Sequence, residues 1–516
     1  NKMSLGGGTV GNDINNAISA IESHTDTIKL DESLMERQKA MMREQQEIES
    51  LLTKDPNQRI KVTNIHYTKE AIPFKDDTLF KYCEQTLGKV TTMEQFQLQS
   101  MILQEKLIGN GLIQQMDISN IHAKLVDMSK ITALPFSFAN SDNKVVVIEP
   151  EIKFIPLKKF AAKTGSKVGN GEGDGYIQLQ LRNFLNNGEN LVVDLEKGTK
   201  TKNNIMIQLS RPINIWNKLN LTFLQNKRSW GDFLQYNMTN GKIEWSHNFS
   251  KLPNQINMKD SIKNTPWNFN FAFDFAKLDL QQQHNDRFKL PLNIIKECKP
   301  YDKLQLQLNL TKDNRDNHIT PQFGTLLKTT IQANYIPGYS KYWESVQFET
   351  QNAHSFKITD RFLSLITTFR IGSILQYGNN CELPLLEKFQ KGGPNDIRLF
   401  NTMGLGPKTF PILCEKHKSN MGIPLGGLHH ISYGMSMLYP FKLDSNFKWL
   451  FFINGGHLTN DFGSLFKTGH SLSCGVGISF VHPAARFELN LGVPLMKYDN
   501  DFSRGKVQYG LGISFL

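Results

Sequence analysis

From about residue 157 to the end of the chain, apolar and polar side chains alternate residue by residue. Leu304, Leu306, Leu308 and Leu310 are separated by Gln305, Gln307 and Asn309, and Phe269, Phe271, Phe273 and Phe275 by Asn270, Ala272 and Asp274. Ile177, Leu179 and Leu181 flank Gln178 and Gln180 in the same way. Near the C-terminus Phe487, Leu489 and Leu491 oppose Arg486, Glu488 and Asn490, which puts full charges on one face and only apolar groups on the other. A period of two belongs to extended strands, whose successive side chains point to opposite faces. One such strand does not distinguish a soluble sandwich, polar outside, from a barrel with its apolar face in lipid. A run of them with almost no helical period favours a large barrel with a wet interior. At about 9 to 11 residues per spanning strand, about sixteen antiparallel strands fit.

The texture differs upstream. Residues 1–57 form a polar N-terminal extension in which Leu34, Met35, Met41, Met42, Ile48, Leu51 and Leu52 recur at helical spacing behind a Ser33-to-Glu36 capping box. This predicts an amphipathic helix that packs on its own protein, on a partner or on lipid. In residues 58–156, IKVTNIHY reads as a strand, DDTLFKYCEQTL and TMEQFQLQSMILQEKLI as helices, and LIQQMDISNIHAKL and VVVIEPEIKFI as strands. The order β, α, α, β, β describes one small α+β domain.

Composition narrows the classes. Only 39% of residues are hydrophobic and mean hydropathy is −0.38, and no window supplies the ~18 apolar residues of a spanning helix. A closed barrel is the remaining way to cross lipid, because it pairs every backbone group while needing only alternate apolar residues. The net charge of +11 is spread beside 48 acids, without the basic run of a nucleic-acid arm. Five cysteines (Cys83, Cys298, Cys381, Cys414, Cys474) are odd in number and widely spaced, which indicates neither a disulfide framework nor a zinc site. The N-terminus lacks a secretory signal pattern, so a membrane address is expected in the mature chain.

Catalytic motifs are missing. HExxH, GxSxG and GxxxxGK[ST] are absent, and the glycines from Gly169 to Gly175 read as a flexible turn. His429 and His430, adjacent on a strand, would point to opposite faces and not share a metal. Sequons at Asn220 and Asn309 fall in presumed strands and read as chance matches. We therefore expect no enzyme, no cofactor and no metal.

Several segments carry a specific resemblance. Asp313-Asn-Arg-Asp316 with Thr320-Pro-Gln-Phe-Gly324 resembles a D-x-R-D…P-x-x-G hairpin signature, and Phe389 to Phe400 with Gly404-Leu-Gly-Pro-Lys408 resembles a sixth loop bearing (V/I)RG(F/Y). Phe452-Ile-Asn-Gly-Gly456 is similar to an F-x-D-x-G strand motif. His482 to Asn490, Gly505 to Leu516 and Phe160-Ala-Ala-Lys-Thr-Gly165 complete the set. Together they resemble the BamA-type insertase superfamily and, within it, the mitochondrial sorting-and-assembly barrels of fungi. The β, α, α, β, β module then resembles a POTRA domain. Two departures stand out: Leu399 occupies the usual glycine position of the loop motif, and Asn454 the usual aspartate position of the strand motif. The loop after Lys408 is also longer before Gly426-Gly427.

The resemblance implies a protein of the mitochondrial outer membrane with its POTRA domain in the intermembrane space. Residues 157–516 would be a transmembrane β-barrel with a lateral seam between first and last strands. The first-strand edge would comprise Lys158, Phe160, Ala162, Lys163, Thr164, Gly165, Ser166 and Val168. The last-strand edge would comprise Gln508, Gly510, Gly512, Ile513 and Phe515, which also fit the polar-x-Gly-x-x-hydrophobic-x-hydrophobic signal that the family recognises in clients. Ile397, Arg398, Leu399, Phe400, Gly406 and Pro407 of the sixth loop would brace the wall at Phe452, Asn454, Gly456 and Glu488. Implied partners are the peripheral cytosolic-face subunits of the sorting and assembly machinery, a morphology-linked partner barrel, β-barrel precursors such as porin, membrane lipid and a second copy of the chain. A passive channel or a protein-translocating relative would share the barrel pattern. The POTRA-like module and the loop signature argue against the first, and the single module, the first strand and the C-terminal segment against the second.

Overall fold

The computed structural model describes residues 35–36, 39–43, 45–50, 60–67, 76–88, 90–127, 144–169, 172–230, 234–249, 267–282, 288–358, 360–377, 382–410, 412–413, 422–442, 445–467, 469–482, 485–498, 501–503 and 506–512. The chain divides into two compact units, with the main boundary in the sequence between Pro156 and Leu157.

In the first unit β1 (Ile60–Val62) and β2 (His66–Tyr67) run parallel to β4 (Lys144–Pro156), and β3 (Ile113–Asp127) pairs with β4 antiparallel. Helices α1 (Asp76–Thr86) and α2 (Met93–Gly109) supply Tyr82, Cys83, Phe96, Leu103 and Leu107 to a core completed by Ile113, Val146, Ile148, Ile152 and Phe154. The sequence sets where α2 begins: Thr92 Oγ1 accepts from the Gln95 N–H while Gln95 Oε1 accepts from the Thr91 N–H, a variant of the capping box. Burial pushes the Cys83 thiol up to about 11, because the thiolate loses its hydration. The described residues between 35 and 50 are helical, with Met35, Met41 and Met42 exposed and Ile48 buried.

Beside two short pairings, Phe288–Lys289 with Ile412–Leu413 and Lys408–Thr409 with Ile423–Pro424, the second unit is built on a sheet of sixteen strands. These are β5 (Phe160–Gly169), β6 (Glu172–Arg182), β7 (Asn190–Gly198), β8 (Thr201–Pro212), β9 (Asn217–Trp230), β10 (Leu234–Phe249), β11 (Trp267–Gln282) and β12 (Tyr301–Asp313). They continue with β13 (Gly324–Ile336), β14 (Lys341–Ile358), β15 (Arg361–Tyr377), β16 (His429–Pro440), β17 (Phe447–Thr459), β18 (Ser471–His482), β19 (Ala485–Met496) and β20 (Val507–Gly512). Each pairs antiparallel with its chain neighbour, so the sheet is a meander with β5 at one edge and β20 at the other. The α3 helix (Leu292–Glu297) lies in the β11–β12 connection.

Burial along the strands inverts the soluble pattern. On β11 Phe271, Phe273 and Phe275 are exposed while Ala272, Asp274 and Ala276 are buried. Neighbouring strands continue both faces, with Ile243 and Leu306 opposite Phe273, and Lys242 and Gln305 opposite Asp274. Leaving a Phe side chain in water forgoes about 1.5–3 kcal/mol, so an uninterrupted apolar face of this kind calls for an apolar surrounding. The edges also find each other: Cα atoms of β5 and β20 come within 8 Å. No backbone ladder joins the two strands among the described residues. The ladder that would close the expected barrel is therefore not formed there, although all sixteen expected strands are.

The long connection from β15 to β16 returns onto the face of this sheet that carries Asn454, Ser473 and Glu488. It contributes Ile397, Phe400 and Leu405 to a cluster with Leu458, and Leu399 to a second cluster with Ala353, Ile366, Leu438, Leu450 and Phe452.

Candidate functional site

The turn of the β15–β16 loop is built by residues of positive φ. Gly392 (106°), Gly393 (119°) and Gly406 (85°) adopt it readily, whereas Leu399 (66°) and Met403 (57°) do so against the steric preference of a side chain. The resulting corner carries Arg398 into the sheet. Arg398 is fully buried, and its Nε and Nη2 donate to the two carboxylate oxygens of Glu488 at 2.9 and 3.2 Å. Arg486 also donates to Glu488, and Asn490 Nδ2 donates to it at 3.0 Å. The charged face of β19 read from the sequence is thus the wall on which the loop docks.

Asn454, at the position where the resemblance expects an aspartate, completes the network as a neutral group. Its amide is oriented with the oxygen accepting from Arg398 N at 3.3 Å and Nη1 at 3.1 Å, and with the nitrogen donating to Ser473 Oγ at 2.7 Å. The single proton of Ser473 goes to the Arg398 carbonyl at 2.7 Å, which fixes this orientation. The Phe452 ring centroid lies 5.0 Å from the Arg398 guanidinium, in cation–π range. Glu488 alone among these groups is anionic, so it serves two guanidiniums, and an aspartate at 454 is not required to hold Arg398.

A second set of contacts ties the corner to the last strand. Gln508 is buried and its carboxamide grips the loop backbone twice: Oε1 accepts from Leu399 N at 2.7 Å and Nε2 donates to the Phe400 carbonyl at 3.0 Å. Phe400 bridges to Ser503, Asn401 N donates to the Phe502 carbonyl at 2.9 Å, and Phe502 N to the Gly404 carbonyl at 2.8 Å. Gly406 N donates to Asp501 Oδ1 at 2.8 Å, and Ser471 holds the other Asp501 oxygen. The Pro407 carbonyl accepts from Leu425 N. Two glycines make room for these contacts. A Cβ on Gly456 would meet Ile397 Cδ1 at 2.6 Å, and one on Gly492 would meet Leu399 Cδ1 at 2.6 Å.

The loop residues and Phe452, Asn454, Gly456 and Glu488 therefore come together, joined by Gln508. The first-strand residues lie at the other sheet edge. Lys158 precedes β5, and its carbonyl accepts from Arg182. Phe160, Ala162, Lys163 and Thr164 are exposed on β5, and Gly165 lies under the Tyr176 ring, where a Cβ would be 2.9 Å from it. Ser166 and Val168 belong to β5 by backbone, and Gly510 and Gly512 to β20. Ile513 and Phe515 lie outside the described residues. Sequence reasoning missed the grip of Gln508 on the loop and the parts taken by Arg486, Asn490, Ser473 and Asp501. The Arg486/Glu488/Asn490 alternation was the one available signal.

Comparison with known proteins bears on this arrangement. The Omp85 superfamily domain model matches residues 183–515, which hold most of the sheet and the whole loop corner. The chain belongs to the Omp85 superfamily. This is not a superfamily of enzymes. Among curated proteins, the chain is 27% identical over 396 residues to the sorting assembly machinery 50 kDa subunit of Saccharomyces cerevisiae, covering 71% of this chain and 77% of that protein. It is 24% identical over 461 residues to the human sorting and assembly machinery component 50 homolog, covering 86% and 88%. Among solved structures, BamA from Haemophilus ducreyi lacking POTRA domains 1–3 superposes with a TM-score of 0.60 at 15% identity, covering 88% of this chain and 84% of that one. At that identity the likeness concerns the fold.

Proposed function

We propose that this Omp85 member folds β-barrel precursors and inserts them into the mitochondrial outer membrane, by templating the client's terminal signal at a lateral seam between β5 and β20. On this reading residues 157–516 close into a transmembrane barrel, residues 58–156 are a single POTRA domain in the intermembrane space, and residues 1–57 are an extension. Superfamily membership and the likeness to sorting-and-assembly proteins support a general role in outer-membrane protein insertion. The observation that carries the finer reading is the pair of sheet edges, near each other yet, among the described residues, without a ladder.

An unfinished barrel in lipid has an edge on which each unpaired backbone group costs several kcal/mol. A catalyst that lends its own edge removes that barrier, since the client's unpaired backbone groups take partners on β5, which among the described residues carries no ladder to β20. No nucleotide is then needed. β5, from Phe160 to Gly169, would be the template, and β20 the strand displaced. The loop corner, held through Arg398 to Glu488 on β19, would keep the wall beside the seam rigid while β20 moves. Replacing Arg398 by alanine is accordingly expected to impair barrel stability and client release and to spare first contact.

Clients would be β-barrel precursors such as porin. The further partners on this reading are the peripheral cytosolic-face subunits, a morphology-linked partner barrel, membrane lipid and a second copy of the chain. Reconstitution in lipid vesicles tests the function. Assembly of an added barrel precursor into a protease-resistant form is expected, whereas ion flux alone or passage of unfolded chains into the lumen would refute it.

A further inference from the structure

We infer that a cavity on the inner face of β13 to β16 binds a small oxyanion of the inorganic phosphate class, and that this ligand fastens the β15–β16 loop to the wall. Two successive rows of the sheet form the cavity. Lys328, Glu349 and Arg370 lie in register across β13, β14 and β15, and Gln347, Gly372 and His430 across β14, β15 and β16. Lys391 of the loop lines the same cavity, whose volume is about 70 Å³. One water needs about 10–15 Å³, so there is room for a group of several heavy atoms. His430, also in the lining, is 2% exposed, and neither of its ring nitrogens has a hydrogen-bond partner among the described residues. The Phe389 ring stands edge-on to it at 4.6 Å, and the imidazole fills the space where a side chain at Gly372 would lie. A neutral imidazole carries one N–H donor, and a buried donor without a partner is costly. An acceptor in the cavity answers it.

The charges around the imidazole say which acceptor. Arg370 Nε donates to Glu349 at 2.9 Å, and Arg370 Nη1 lies 3.6 Å from Asp396 Oδ1. Lys391 Nζ lies 3.7 Å from the same Asp396 oxygen. The two carboxylates are thereby taken up by Arg370 and Lys391, while Lys328 makes no ion pair among the described residues. Positive charge is in surplus. An anion in the cavity supplies the counter-charge and accepts from the imidazole N–H and from the ammonium groups that line it. Donors arriving from β13, from β16 and from the loop suit a ligand with several acceptor atoms, an oxyanion rather than a halide. Because Lys391 belongs to the loop and Lys328 and His430 to the wall, the ligand bridges the two. This fastening is separate from those of Arg398 to Glu488 and of Gln508 to the loop backbone, and it does not depend on strand exchange.

The test uses the full chain in lipid nanodiscs and radiolabelled inorganic phosphate, with gluconate holding the ionic strength constant. Saturable binding of one phosphate per chain is expected, displaced by sulfate and not by chloride at equal concentration. Lys328→Met should weaken binding about tenfold or more, and this side chain has no ion pair among the described residues whose loss would disturb folding. Lys391→Met should weaken it likewise. Glu349→Gln, which removes a like charge, should tighten it, the opposite of what damage to the cluster would do. Phosphate should raise the melting midpoint of the unaltered chain, and raise that of Lys391→Met less at the same concentration. Absence of saturable phosphate binding would overturn the inference and leave a cavity that holds water alone. Binding that Lys328→Met and Lys391→Met both leave unchanged would overturn it as well, by placing the phosphate elsewhere on the chain.

Discussion

Among the described residues Glu488 is a carboxylate shared by two buried guanidiniums, and this makes the two obvious substitutions unequal. Replacing Arg398 by methionine removes two charge-assisted hydrogen bonds to Glu488, worth about 1.5–3 kcal/mol each, and the one to Asn454. It also removes a buried cation whose desolvation costs several kcal/mol, and leaves Glu488 paired with Arg486. The net loss should be about 1–2 kcal/mol. Replacing Glu488 by glutamine instead leaves Arg398 and Arg486 facing one neutral amide, the situation of an uncompensated buried charge, which costs about 3–5 kcal/mol. The double variant Arg398→Met/Glu488→Gln removes one of the two like charges and should be more stable than Glu488→Gln alone. Heat-induced loss of the folded band on semi-native gels, with tryptophan fluorescence of the same samples, gives the three midpoints. The reasoning fails if Arg398→Met lowers the midpoint as much as Glu488→Gln, or if the two losses simply add.

Other expectations follow from single residues. Leu399→Ala keeps the unfavourable φ of 66° and gives up a buried side chain worth about 2–5 kcal/mol. Leu399→Gly gives up the same packing but recovers about 1–2 kcal/mol of backbone strain, so the glycine variant should melt above the alanine variant. In the first unit, burial holds the Cys83 thiol at about 11. A maleimide at pH 7.4 should leave it unlabelled in the native chain and label it once urea opens that unit, and rapid native labelling would contradict the packing described. Burial also lowers the Lys408 amine, which donates to the Gly404 and Gly406 carbonyls, to about 8 from an ordinary 10.5. Between those two values the unfolded chain binds more protons than the folded one, so stability should rise with pH across that window. A Lys408→Met variant should lose that rise in pH-dependent melting.

The strands were legible because every one of them needs an apolar outer face. The Phe269 to Phe275 run and the Phe487 to Leu491 run each state their facing without knowledge of a neighbour. The inner surface was legible only in part. Arg486, Glu488 and Asn490 announce a charged wall, but no local pattern says that Arg398, ninety positions earlier, is what meets it; the resemblance alone set Arg398 against Glu488. The grip of Gln508 on Leu399 spans 109 positions, and its backbone partners carry no side-chain signature at all. Leu399 is the instructive departure. Its left-handed conformation explains why a glycine suits that corner, while its packing against Phe452, Leu438 and Leu450, with Gly492 making room, shows what offsets the strain in this chain. Asn454 departs for a related reason: Arg398 already has a full charge partner in Glu488, so a carboxamide suffices beside it.

The central claim is that a client strand pairs with β5. Single cysteines placed in turn from Phe160 to Val168, in a chain otherwise free of cysteine, can be oxidised in isolated outer membranes against a barrel precursor carrying one cysteine along its last strand. Templated exchange predicts disulfides in one fixed antiparallel register, lost when the glycine or the hydrophobic residues of the client's signal are changed. Productive assembly with no disulfide at any β5 position would contradict it.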